Sequence, residues 1–446
     1  MAEPSQAYIA DATAQWRGIP GSADAVVCPE STADVELLLR FCQRHDVPVT
    51  PRGGGTGLAG GAIPLEGGVV LALERLRTVR SFEPEHWRIQ LEAGLRTSEI
   101  HRLARENGLM YAPDPGSSEQ SQIGGNIATN AGGPHTFKYG TTRAWVTGLE
   151  AVLAGGERIE LGGPTRKDVA GYDLLGLLVG SEGTLAVITA AWLKLLPAPE
   201  TQLPLVAIYP DTQTGAAAVE RLMACGLQVA TLDYIDGGTL AVTGAAFPVR
   251  LPPDAGFMLI AEADGSAAEA ARLAGEAREA LADDLLALHA PTARHDIDAL
   301  WRWRDGVANQ VAGVRGGKVS EDIAVPPGNL ADAITETVAI AERHGLHGLS
   351  WGHAGDGNLH STFLVDPADP AEVARAEAAA QELFAFAIAR GGTISGEHGV
   401  GAVKRGQLAR QWAPAALELH DAVKRAFDPQ GILNRGKKPG RLVASA

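Results

Sequence analysis

Four residues toward the carboxyl end carry side chains suited to holding a cation and moving a proton. His353 and His360 stand in Trp351-Gly-His-Ala-Gly-Asp-Gly-Asn-Leu-His360, and Glu397 and His398 in Ser395-Gly-Glu-His-Gly-Val-Gly401. On an unbroken strand, histidines spaced this way would point to opposite faces. The turn Gly355-Asp-Gly357 between them predicts a hairpin that brings both imidazoles to one side. Two histidines and a carboxylate suit Zn²⁺ with an open position, or the facial set used by Fe(II). In a turn bounded by glycines, His398 can face the same cavity as Glu397.

A second kind of chemistry is written in glycine. Pro51-Arg-Gly-Gly-Gly-Thr-Gly-Leu-Ala-Gly-Gly61 contains G-x-G-x-x-G at Gly55, Gly57 and Gly60. A dinucleotide loop of the Rossmann type must open a crossover helix. Only Gly61-Ala-Ile-Pro-Leu-Glu-Gly-Gly68 precedes the next strand, too short and too rich in Pro and Gly for one. The anion-binding content survives: consecutive glycines let backbone N–H groups approach a pyrophosphate, Thr56 adds a hydroxyl donor and Arg52 a positive charge. Pro113-Asp-Pro-Gly-Ser117 and Ile123-Gly-Gly-Asn-Ile-Ala-Thr-Asn-Ala-Gly-Gly133 form a second block, followed by Tyr139-Gly140 and Gly180-Ser-Glu-Gly-Thr-Leu185. There a flat ligand can lie against backbone with hydrogen bonds at its edge.

The elements that position these residues read as alternating β and α segments. Strands are predicted at 45–50, 68–73, 88–92 and 184–195, the last half-buried by its alternation. Helices are predicted after Ser31 and over 97–108, and a hairpin over 148–158. After residue 203 the order becomes β-α-β-β-α-β (205–209, 215–225, 228–234, 257–262, 267–281, 285–288), which suits an antiparallel sheet with helices on one face. Further helices are predicted over 296–312, 330–343, 371–388 and 414–427. The expected domains are 1–202, 203–404, and a segment 405–446 that returns to the first.

Arg52-Gly-Gly-Gly-Thr56, Ile123-Gly-Gly-Asn126, Thr129-Asn-Ala-Gly-Gly133 and Gly180-Ser-Glu-Gly-Thr-Leu-Ala-Val-Ile188 together resemble the FAD-binding domain of vanillyl-alcohol-oxidase-type flavoproteins. Within that group the whole chain resembles the D-2-hydroxy-acid dehydrogenase branch. The resemblance implies an α+β fold: a two-lobed FAD-binding domain and a cap domain with an antiparallel sheet covered by helices. It implies FAD contacts from Arg52, Gly53, Gly54, Gly55, Thr56, Gly57, Pro115, Gly116, Ser117, Gly124, Gly125, Asn126, Thr129, Gly132, Tyr139, Glu182, Gly183, Val187, Ile188 and Asn434. The first loop contains neither His nor Cys, so FAD is expected to be non-covalent. The same resemblance makes His353, His360 and Glu397 ligands of a divalent metal, expected to be zinc. His398 becomes the catalytic base, and Arg304 in Trp301-Arg-Trp-Arg-Asp305 the carboxylate-binding arginine, with Arg302 as the competing choice.

The reading is then FAD-dependent oxidation of a D-2-hydroxy acid to the 2-oxo acid, aided by the metal. Two departures from the 2-hydroxyglutarate enzymes bear on the substrate. Ala308 stands where they carry a hydroxyl residue, and Ser320 where they carry a lysine, with Lys318 displaced by two. Both losses favour D-lactate, glycolate or another small substrate. A zinc hydrolase built on the same donors leaves the glycine loops without a purpose. A flavin electron-transfer subunit whose catalytic partner lies elsewhere is the remaining alternative.

Composition narrows the partners. Glycine accounts for 54 of 446 residues with no Gly-X-Y period, against a usual share of ~7%. A net charge of −15 argues against nucleic acid and anionic membranes. The three cysteines form no C-x-x-C, so an in-chain iron–sulfur cluster has no ligands. Electrons must leave to an external acceptor: a quinone, a cytochrome, an electron-transfer protein or O₂. A homodimer or an iron–sulfur partner subunit is compatible with this. With no signal peptide or transmembrane span in the sequence, the expected location is cytoplasmic, or peripheral to a membrane through a partner.

Overall fold

The computed structural model describes residues 5–438, which divide into two compact units. Among the described residues, unit 1 comprises 5–132, 140–198 and 397–438, and unit 2 comprises Gly133–Tyr139 and Pro199–Gly396.

Unit 1 holds two sheets of different character. Strands β1 (Ala25–Val27), β2 (Val49–Arg52) and β3 (Val69–Ala72) form a parallel sheet in the order β1-β3-β2. Strands β4 (Val79–Glu83), β5 (Arg88–Glu92), β6 (Val146–Val152), β7 (Arg158–Gly162) and β8 (Val187–Lys194) form an antiparallel one in the order β4-β5-β8-β6-β7. Helix α1 (Thr32–Arg44) starts at a capping box in which Ser31 accepts from the Asp34 N–H and Asp34 reaches back. It buries Val35, Leu39 and Cys42.

Three sequence expectations change here. The strand expected from residue 45 begins only at Val49, because the preceding residues finish α1: the Val47 N–H returns to the Cys42 carbonyl and Asp46 takes φ 51°. Strand β8, expected to be half-buried, is buried along most of its length, because it is central in its sheet. The segment from Ile123, expected as a glycine loop, opens as a helix. Helix α2 (Thr97–Glu106) precedes it, and α3 spans Ile123–Thr129. Glycine is tolerated in α3 for a packing reason: a Cβ on Gly124 would stand 2.6 Å from that of Ala93.

Unit 2 is built on one seven-stranded antiparallel sheet. Its strands are β9 (Thr201–Tyr209), β10 (Thr231–Asp236), β11 (Phe257–Gly265), β12 (Ala287–His289), β13 (Gly317–Ala324), β14 (His347–His353) and β15 (Asn358–Val365), in the order β12-β9-β11-β10-β14-β15-β13. Helices α4 (Thr212–Ala224), α5 (Gly237–Thr243), α6 (Ala267–Ala280), α7 (Arg294–Gly313), α8 (Leu330–Arg343) and α9 (Pro370–Ala389) connect and cover the strands. Helices α4, α6, α8 and α9 pack on the sheet. Helix α7 sets Leu300, Trp303, Val307 and Val311 in one cluster with Ile235, Ile260, Leu349, Trp351 and Leu364, whose alternation marks the opposite face. Helix α5 was not anticipated; Asp236 caps it through the Thr239 N–H. The final helix, α10 (Pro414–Phe427), belongs to unit 1 and has the bounds its N-terminal proline and following Asp-Pro turn predict.

No helix among the described residues is long and apolar enough to cross a membrane.

Candidate active site

In unit 1 the glycine loops converge. The loop after β2 needs its glycines for two reasons. Gly55 and Gly60 hold φ of +71° and +74°, and a Cβ on Gly54 would stand 2.3 Å from the Gln120 carbonyl oxygen. Thr13 ties the loop, its hydroxyl accepting from the Gly60 N–H at 2.8 Å and donating to the Gly57 carbonyl. Arg52 lies beneath the loop rather than on its surface. Its Nη1 donates to the Ala10 carbonyl at 2.6 Å, and burial draws its pKa below the usual arginine range against the pull of Asp11.

Asn434 joins two of the loops. Its side-chain N–H₂ donates to the Gly61 carbonyl at 2.9 Å and to the Glu182 carbonyl at 2.7 Å. Glu182 holds φ +55°, and its carboxylate accepts from the Val400 and Gly401 N–H groups at 2.9 and 2.6 Å. The Ala59 carbonyl accepts from the Ala402 N–H. The turn that carries His398 therefore runs directly into a segment tied to both loops. Lys437 donates to the Gly61 carbonyl and to Asn434 Oδ1, and burial pushes its ammonium down to about 7, opposed by Asp11 and Glu182. Lys437 escaped sequence reasoning, since a lysine near a chain end reads as solvated.

The remaining expected FAD residues occupy ordinary structural positions around these loops. Asn126 donates to Thr97 Oγ1 at 2.6 Å, and Thr129 to the Gly125 carbonyl. Pro115, Gly116 and Ser117 form a turn in which the Pro115 and Ser117 carbonyls accept from Ser118 and Gln120. Gly132 is buried, Gly183 packs on Pro51, and Val187 and Ile188 pair with Val152 and Ala151. Tyr139 is placed differently: it belongs to unit 2, where its hydroxyl donates to Asp264 at 2.5 Å.

The loops fit a flat, polar-edged ligand approached closely by backbone. A Cβ at Gly57, Gly61, Gly116 or Gly125 would meet no atom within 4 Å. Ser181 Oγ and Gln122 Oε1 are buried with no hydrogen-bond partner among the described residues.

Unit 2 supplies a row of polar side chains on the α7 face of its sheet. The β14–β15 hairpin pairs His353 with Asn358 and Trp351 with His360, closed by Gly357 at φ +63°. The His353 and His360 ring centroids lie 5.5 Å apart, near perpendicular. His360 offers a nitrogen within 4.8 Å of one on His353, and one within 4.8 Å of an Asp322 carboxylate oxygen. Asp322 accepts from Asn358 Nδ2 at 2.6 Å and Ser395 Oγ at 2.9 Å, and its carbonyl accepts from the Gly396 N–H. Glu397 is the next residue along the chain.

Asp233 stands opposite His353 in the register of β10 and β14. Its Oδ1 is 2.7 Å from His353 Nδ1, and its Oδ2 accepts from Arg304 Nε at 2.7 Å and Nη2 at 2.6 Å. Burial alone would raise its pKa, but Arg304 and His353 outweigh it and hold the carboxyl at about 2. Arg304 is the inward-facing arginine of its helix and Arg302 is exposed. Asp233 was missed in the sequence, where the signal was a lone carboxylate in the otherwise apolar run Leu232-Asp-Tyr-Ile235.

Lys318 lies on the same face, its ammonium 4.9 Å from the Trp351 ring and donating to the Ala308 carbonyl. Burial pushes its pKa from 10.5 to about 8. Folding therefore costs about 3 kcal/mol for this group below pH 8, where folded and unfolded chains are both protonated. The cost fades as pH rises toward 10.5, because the folded chain loses the proton first. Lys318→Met is expected to melt at a higher temperature than wild type at pH 7, with the gap closing toward pH 10.5. Thermal unfolding across that range checks it; a constant gap would refute the assignment.

The fold is that of the vanillyl-alcohol-oxidase-type flavoproteins. Among solved structures, 4-ethylphenol oxidase from Gulosibacter chungangensis superposes with TM-score 0.77 at 20% identity, covering 96% of this chain and 91% of that one. p-Cresol methylhydroxylase superposes with TM-score 0.76 at 17% identity, with the same coverage. Residues 23–162 match the FAD binding domain family, and residues 198–438 match the family of FAD linked oxidases, C-terminal domain. The chain belongs to the FAD-linked oxidases and is an FAD-dependent oxidoreductase. It is 39% identical to glycolate oxidase subunit GlcD of Bacillus subtilis (strain 168), over 96% of this chain and 91% of that protein. It is 36% identical to D-lactate dehydrogenase of Archaeoglobus fulgidus, over 98% and 97%.

Proposed function

We propose that this protein oxidises a small D-2-hydroxy acid, D-lactate or glycolate, to the 2-oxo acid with assistance from a divalent cation. The observation that carries the reading is the buried set His353, Asp233 and Arg304, with His360 beside it, in a member of the FAD-linked oxidases. The names of its relatives, glycolate oxidase subunit and D-lactate dehydrogenase, support the substrate class. In this reading His353, His360 and Glu397 hold zinc, and the glycine loops with Asn434 and Glu182 hold FAD non-covalently. When bound, FAD supplies a two-electron acceptor and the cation a Lewis acid beside the substrate hydroxyl. Arg304 takes the carboxylate with the N–H groups that Asp233 leaves over, and His398 takes the hydroxyl proton.

Ala308 and Ser320 offer no charge to a distal carboxylate, and Lys318 is engaged with the Ala308 carbonyl, which supports a short substrate over 2-hydroxyglutarate. Electrons leave to an external acceptor, which an iron–sulfur or other partner subunit would supply. The deciding experiment is an anaerobic titration of the FAD-loaded protein with D- and L-lactate, glycolate and D-2-hydroxyglutarate, with and without a chelator. Bleaching by D-lactate or glycolate, weakened by chelation and restored by Zn²⁺, is expected. Intact flavin that no 2-hydroxy acid bleaches would overturn the reading.

A further inference from the structure

We propose that Asp233 is a positioning residue that sets two functions at once: the metal-ligating tautomer of His353 and the orientation of the Arg304 guanidinium. The inference rests on the metal-assisted reading above and deepens it.

The chemistry follows from what a buried carboxylate can accept. Asp233 is fully buried, and its Oδ1 faces His353 Nδ1 at 2.7 Å. An ionised carboxylate has no proton to give, so Nδ1 must be the donor. The imidazole then carries its hydrogen on Nδ1 and presents the Nε2 lone pair to a cation, as metal-bound histidines do when a carboxylate backs them. The other oxygen, Oδ2, takes Nε and Nη2 of Arg304, both within 2.7 Å. That engages one edge of the guanidinium and leaves Nη1 for a ligand carboxylate. One side chain thus holds the metal ligand and the carboxylate clamp at a set spacing. A 2-hydroxy acid, with its hydroxyl and carboxylate on adjacent carbons, is the substrate class such a short rigid link serves.

Asparagine at this position tests the proton assignment. Its oxygen can satisfy either partner and its NH₂ must face the other. The charged Arg304 claims the oxygen, so the NH₂ points at His353 Nδ1, makes it an acceptor and moves the ring proton to Nε2. FAD-loaded Asp233→Asn is expected to bind Zn²⁺ ~10–100-fold more weakly than wild type in chelator competition without substrate, with flavin content unchanged. Its KM for the hydroxy acid is expected to rise about tenfold or more. In the double variant Asp233→Asn/Arg304→Gln, the asparagine oxygen can return to Nδ1–H while its NH₂ donates to the amide oxygen of the introduced glutamine. Zn²⁺ affinity is expected to recover to within about fivefold of wild type, while KM stays high.

A merely structural role for Asp233 would not produce that split, and the double variant guards against misfolding of the single one. Unchanged Zn²⁺ affinity in Asp233→Asn, or no recovery in the double variant, overturns the proposal while leaving the oxidase reading intact. Wild-type protein that bleaches with substrate but binds no Zn²⁺ overturns both the proposal and the metal assignment.

Discussion

Replacing His398 with alanine is expected to slow reduction of the bound flavin by substrate ~10²–10⁴-fold, with FAD still bound. Oxidation of a 2-hydroxy acid releases a hydroxyl proton, and at neutral pH that proton needs a placed acceptor. An imidazole is the side chain best matched to the task. The structure gives this one a rigid base. His398 precedes Gly399, held at φ +88°, and the next two N–H groups donate to the Glu182 carboxylate. Glu182 is itself held by Asn434 through its carbonyl and by Lys438 at 3.1 Å. Alanine removes the acceptor without touching these ties, so flavin content should stay near wild type. Stopped-flow reduction under anaerobic conditions measures the loss. A variant reduced at the wild-type rate would move the base elsewhere and favour an electron-transfer role for this chain.

Gly54→Ala is expected to weaken FAD binding by roughly 10–100-fold, the equivalent of ~1–3 kcal/mol of overpacking. The added methyl carbon would stand 2.3 Å from the Gln120 oxygen and 3.3 Å from the Ser121 Cα. That backbone cannot retreat cheaply: the Gln120 and Ser121 N–H groups donate to the Ser117 carbonyl, and the Ser121 carbonyl accepts from Thr97. The loop after β2 must move instead, taking with it the N–H groups that would face a pyrophosphate. Gly57→Ala is the informative companion, because its methyl group would meet no protein atom within 4 Å. It should leave the melting temperature of FAD-free protein unchanged and still impair FAD binding. Fluorescence titration with FAD measures both, and full binding by Gly54→Ala would show that the loop does not cradle the cofactor.

Much of this was readable before any fold was known, where local chemistry decides. Helix α10 has its expected bounds because Pro414 opens it and Asp428-Pro429 closes it, signals confined to neighbouring residues. The hairpin bearing His353 and His360 was equally legible, since two glycines around Asp356 leave the chain few other paths. The strand expected from residue 45 failed by a few residues because helix and strand compete there, and a backbone bond from Val47 to Cys42 settles it.

Beyond that range the sequence is silent. Arg304 stood out as an arginine able to grip a carboxylate, yet its partner lies 71 positions away on strand β10. The local signal at Asp233, a carboxylate within an apolar run, does not say that a guanidinium and an imidazole lock it from either side. Tyr139 shows the same limit: nothing beside it in the sequence announces that its hydroxyl donates to Asp264, 125 positions away. By itself, then, the sequence determined the elements, the glycine loops and the types of side chain available for chemistry, because propensity, turn geometry and spacing act over a few residues. The tertiary structure alone decided which carboxylate meets which cation or imidazole. Such pairings depend on strand register and burial, which only the assembled sheet supplies.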